Sequence, residues 1–165
     1  MQSLKVLGVT LNSNLGMSEH IGNLVSKAGQ VMYALKTLKH SGLAMRPLDI
    51  VSNSTLVSPI IYASPAWWGF ASLEDCGRLQ GVFNKAARWG LCSSPPNFQN
   101  ICDKADCKFF STIKFNPSHV LHPLLPPERN SDYNLRPRAH NYTLPINTPS
   151  LKRNFLNRIL FRDSY

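Results

Sequence analysis

The sequence predicts a mainly α protein, a small helical bundle preceded by one unpaired (orphan) β-strand and followed by a proline-rich basic tail. Three observations carry this. Apolar residues recur at helical spacing through residues 21–38. Residues 4–11 are aliphatic and β-branched. Beyond Asn116, Pro117, Pro123, Pro126, Pro127, Pro137, Pro145 and Pro149 disfavour regular structure. The chain has 165 residues, 43% apolar and 16% charged, enough for a core of its own and unlike a disordered composition.

Leu4-Lys5-Val6-Leu7-Gly8-Val9-Thr10-Leu11 reads as one strand ending at the turn-forming Asn12-Ser13-Asn14. A strand needs partners for its backbone, and these are expected upstream of the sequence. Ser18 is placed to cap a first helix running to about His40, with Ile21, Leu24, Val25, Ala28, Val31, Met32, Leu35 and Leu38 on its apolar stripe. His40-Ser41-Gly42 ends it. A second helix is expected over Pro47–Tyr62, with Pro59 kinking or ending it. The run from Ile60 to Phe70 is apolar all round and is expected to be the most buried part of the chain. Ser72 caps a third helix, with Glu74 and Asp75 near its positive end and Leu79, Val82, Phe83, Ala86 and Ala87 facing inward. Gly90 and Ser93-Ser94-Pro95-Pro96 stop it. A fourth helical segment covers about Phe98–Ile113, and a short amphipathic helix over Leu151–Arg162 closes the chain.

The formal charge of +9 is unevenly spread. Residues 1–46 hold five bases and one acid, net +4; residues 47–113 hold five of each; residues 114–165 hold eight bases and three acids, net +5. Two basic ends around a neutral middle suggest a polyanion, nucleic acid first among them; a solvated basic surface is the plain alternative. Lys27, Lys36 and Lys39 on the first helix are the leading candidates for that surface, with Arg136 and Arg138 second. The mixed segment from Tyr133 to Tyr142 offers bases and aromatics together. Tyr62, Trp67, Trp68 and Phe70 are better read as core. No run is long and apolar enough to span a bilayer, and residues 1–9 lack the pattern of a signal peptide. The expectation is an intracellular protein, in nucleus or cytoplasm, with reduced cysteines and no membrane partner.

Enzymatic signatures are sparse. The chain has no Gly-x-Ser-x-Gly elbow and no phosphate-cradling glycine loop, and its acids are too dispersed for a two-metal centre. Cys102, Cys107, His119 and His122 superficially resemble a zinc finger. On one helix, however, Cys102 and Cys107 lie roughly 140° apart around the axis, so ordinary thiols and loop histidines are preferred and no metal is expected.

Several stretches taken together carry a resemblance. They are Lys5-Val6-Leu7-Gly8-Val9-Thr10-Leu11 followed by Leu15 and Glu19-His20-Ile21; Tyr62-Ala63-Ser64-Pro65-Ala66-Trp67-Trp68-Gly69; Asn116 through Pro127; Tyr133 through Arg138; and Phe161-Arg162-Asp163-Ser164-Tyr165. This ordered set resembles the end of the reverse transcriptase of non-LTR retrotransposons of the Jockey type. Asn12 and Met17 depart from the family, where Asp and Trp are common. The resemblance implies a palm end and primer-grip-like turn over residues 1–16, with Leu7, Gly8 and Val9 at the grip, a helical thumb-like region over 17–115, and a closing tail over 116–165. It implies a weak, sequence-independent hold on the backbone of a DNA–RNA or DNA duplex. The family's aromatic-x-Asp-Asp signature is absent, so the resemblance implies a truncated polymerase that is not itself an enzyme. No cofactor is expected, since Mg2+ would belong to the missing palm. A non-enzymatic helical interaction protein prone to self-association, or an inert translated remnant, are the alternatives.

Overall fold

A computed structural model describes residues 3–14, 16–128, 140–144 and 153–162 of the chain. The chain is mainly helical with a small two-stranded sheet at its N-terminal end. It divides into two compact units, Met1–Asp103 and Lys104–Tyr165. The division falls inside a helix whose first part joins one core and whose last part joins another.

The expected single strand over residues 4–11 is instead a hairpin. Strand β1 (Ser3–Val6) pairs antiparallel with β2 (Val9–Asn12), Val6 opposite Val9 and Ser3 opposite Asn12. Leu7 and Gly8 form the turn, both at positive φ (46° and 91°). That is the primed two-residue geometry whose twist matches a hairpin, and Gly8 supplies half of it without strain. The segment thus serves as its own partner. Aliphatic residues on both sides of Gly8 concealed the turn.

Helix α1 (Ser18–His40) has the predicted length. Its cap position is Met17, with no side-chain cap; the Ser18 hydroxyl instead donates to the Asp75 carboxylate at 2.7 Å. The second helix is interrupted. Helix α2 (Met45–Ser52) passes into one wide π-turn over Asn53–Val57 before α3 (Ser58–Ile61). Pro59 lacks an amide hydrogen and sits in the first turn of α3, so the break lies just upstream of the proline, as its ring requires. Ala63 (φ 51°) reverses the chain into α4 (Ser64–Trp67) and a 3-10 turn over Trp68–Phe70. This run is not uniformly buried as expected: Trp67 and Ser64 are fully enclosed, whereas Tyr62 is exposed. Short helices at changing angles cannot bury every face.

Helix α5 (Leu73–Arg88) is capped by Ser72, whose hydroxyl accepts the Asp75 amide. It ends in a Schellman motif, Gly90 N–H donating to Ala87 O and Leu91 N–H to Ala86 O, with Gly90 at φ 63°. Helix α6 (Phe98–Phe115) follows. The first unit's core gathers Ile21, Met32 and Leu35 from α1, Leu48 from α2, Leu79 and Phe83 from α5, and Trp67, Phe98 and Cys102. Trp67 is central: its Nε1 donates to Tyr62 O at 3.0 Å, and its ring meets His20 edge-on at 5.1 Å and Phe98 at 6.2 Å.

In the second unit, α7 (Phe155–Arg162) is shorter than the expected Leu151–Arg162 and packs Phe155, Ile159 and Leu160 with Phe110, Ile113 and Tyr142. Arg158 grips the buried Asp106 with Nε and Nη2, at 2.9 and 3.1 Å. Among the described residues of the tail, Glu128 and Tyr142 form an antiparallel bridge.

Candidate nucleic-acid interface

Helix periodicity separates the three lysines proposed to share one surface. Lys27 and Lys36 are nine residues apart, which is about 180° around the axis and roughly 13 Å along it. Lys36 and Lys39, about 60° apart, share a side.

Lys36 and Lys39 gather at Trp89, the C-cap residue of α5. The Lys39 ammonium donates to the Trp89 carbonyl at 2.8 Å. The Lys85 and Lys36 ammoniums lie 4.7 and 5.6 Å from the centre of the Trp89 ring, which is 40% exposed. Such contacts hold a cation over the negative face of an indole and keep its charge at the surface. Both α1 and α5 present basic side chains in their last turns, where the negative end of a helix favours them. Part of this cluster therefore stabilises helix ends. Among the described residues the ion pairs are Arg78–Asp75 and Arg158–Asp106, so no carboxylate neutralises it.

Lys27 lines a different place, a cleft of about 370 Å³ beside the hairpin turn, together with Lys5, Gly8, Thr10, His20 and Asn23. In a two-residue hairpin Val6 and Val9 exchange backbone hydrogen bonds, so the Thr10 amide points off the far edge of β2. His20 meets it there: Nδ1 accepts the Thr10 N–H at 3.4 Å. Burial, then the charge of Lys27, holds the His20 imidazole below its usual proton affinity. Of the three grip residues, Leu7 is exposed at the tip, Gly8 borders the cleft and Val9 turns into the core. Arg136 and Arg138 lie outside the described residues.

The four residues with zinc-like spacing occupy unlike settings. Cys102 is enclosed in the first unit's core, and the Cys107 sulfur accepts from Arg162 at 3.2 Å. His119 accepts the Leu121 amide on Nδ1 and sets its ring edge-on to Phe109, while His122 opens a 3-10 turn. Among the described residues no group of three or more His, Cys, Asp and Glu comes together to hold a metal. Burial followed by a nearby carboxylate pushes both the Cys76 and Cys92 thiols up, which keeps them protonated and poor nucleophiles. No helix among the described residues is long and apolar enough to cross a membrane.

Sequence reasoning missed Lys5, His20, Lys85 and Trp89. The Lys85/Trp89 pair was legible as an i, i+4 spacing near a helix end. The others meet their partners only through the fold. No protein-family model, curated protein or solved structure matches the chain.

Proposed function

We propose that the first unit is a non-catalytic nucleic-acid-holding module, the thumb-like part of a retrotransposon reverse transcriptase. The observation that carries the reading is the convergence of Lys36, Lys39 and Lys85 on the exposed Trp89 with no neutralising carboxylate. The sequence resemblance supports it independently. Three ammoniums at one place suit the backbone of a duplex, whose phosphates bind lysine without regard to sequence and release counterions as they do. The chain itself carries out no chemical step in this reading.

The test is fluorescence anisotropy of the whole chain against a primer–template duplex, titrated with salt. Three phosphate contacts give a slope of log K against log salt of about −2.7. Absence of binding at low salt, in a chain shown folded by circular dichroism, overturns the reading.

A second reading rests on strand β1. Among the described residues no other strand covers its outer edge, and Leu4 and Val6 on it and Leu7 in the turn are exposed. An open apolar edge favours protein contacts or self-association. Light scattering that shows mass rising with concentration supports it; a constant monomer mass removes the self-association form.

A further inference from the structure

We propose that the cleft beside the hairpin turn is a binding site for a phosphate monoester, held between Lys5 of β1 and Lys27 of α1. Two lysines from separate elements line one concavity of about 370 Å³, and no residue lining it is acidic. Neither lysine joins the ion pairs among the described residues, so no paired carboxylate balances their charge. An anion placed between them does.

Besides Gly8 and the apolar Leu24, the rest of the lining carries polar side chains, those of Thr10, His20, Asn23 and Ser26. Because the Thr10 amide occupies Nδ1 of His20, the neutral ring carries its proton on Nε2 and keeps one N–H to give. Asn23, Ser26 and Lys27 follow one another at i, i+3 and i+4, so the amide and the hydroxyl share the lysine's side of α1. Burial, then the charge of Lys27, disfavours protonation of His20.

Charge and shape select the monoester. Two ammoniums match a dianion, whereas an internal phosphodiester carries a single charge and must lead chain out of the cleft on both sides. The site is separate from the Trp89 cluster, so its fate does not depend on the duplex reading.

The experiment is an amide NMR titration of the whole chain with inorganic phosphate, at ionic strength fixed with sodium chloride. Saturating shifts at Gly8, Thr10 and Asn23 are expected. Half-saturation should rise at least about tenfold, a loss of 1.4 kcal/mol, in the Lys5→Gln/Lys27→Gln variant and stay unchanged in Lys108→Gln, an exposed lysine of neither basic site. Both substituted lysines are exposed, and the dispersion of the core amides checks that the variant is folded. Linear shifts without saturation, or saturation indifferent to the double substitution, overturn the proposal.

Competition then separates the sources. A 5′-phosphorylated oligonucleotide that displaces phosphate better than its 5′-hydroxyl counterpart identifies a strand terminus. Displacement by neither leaves a free phosphate monoester as the ligand. Equal displacement by both means the cleft takes the diester backbone, which overturns the monoester assignment.

Discussion

Gly90 carries two constraints at one atom. Its φ of 63° favours glycine, and a Cβ there falls 2.4 Å from the Lys39 ammonium. Gly42, also at positive φ, has open space around the same position. Gly42→Ala is expected to cost about 1 kcal/mol from backbone strain alone. Gly90→Ala is expected to cost more, because Lys39 must also leave the Trp89 carbonyl; paired urea denaturation curves test the difference. His20 makes a second residue-level prediction. Its folded-state proton affinity lies below the ordinary 6.5, so its contribution is intact above pH 6.5 and is lost as pH falls from there through the folded value. A loss of stability over that window should flatten in His20→Phe, which keeps an aromatic edge against Trp67; an unchanged pH slope would locate the titration elsewhere. Neither effect was readable in the sequence. Gly90 was identifiable as a helix stop, but its lysine neighbour comes from a helix fifty residues away.

Elements were legible where a local signal fixed them. The 3.6-residue stripe and the Ser41-Gly42 stop gave α1 both its ends, and Ser72 with Glu74 and Asp75 gave the start of α5. The same logic mistook Ser18 for a cap. Its hydroxyl joins a bridge in which Ser18, Ser72 and Arg78 all bind the buried Asp75. Burial raises the proton affinity of that carboxyl, and the three donors together outweigh it and hold the group below its usual value. At the other end of the chain, α7 is too short to persist alone and depends on what it touches. Arg158→Ala leaves Asp106 buried without its guanidinium. A loss of about 3–5 kcal/mol is expected, seen as faster amide exchange in α7 and in the second half of α6. Unaltered exchange in α7 would show that its apolar contacts alone suffice.

For the molecule as a whole, the +9 charge suggests a polyanion but not which basic residues gather in space. The fold divides the five lysines of the first unit between the Trp89 cluster and the cleft beside the hairpin. Charge reversal should therefore be selective. In the duplex anisotropy assay, Lys36→Glu/Lys85→Glu is expected to reduce affinity at low salt by roughly tenfold or more, about 1 kcal/mol for each lysine–phosphate pairing removed and a further penalty for each acid introduced. Lys27→Glu is expected to spare it. Equal losses from both changes would mean that the duplex reaches across to the cleft.

Residue type and spacing were enough to specify a mainly helical chain, the approximate extent of α1, α5 and α6, and an excess of positive charge, because these follow from contacts within a few residues along the backbone. The hairpin was missed because the aliphatic residues flanking Leu7-Gly8 outweighed the one local turn signal, Gly8. The grouping of Lys36 with Trp89, of Lys5 with Lys27, and of Ser18 with Asp75 depends on how helices and hairpin pack. A side chain's distant neighbours are set by burial of the apolar faces, which satisfies the whole core at once and leaves no mark at any single position.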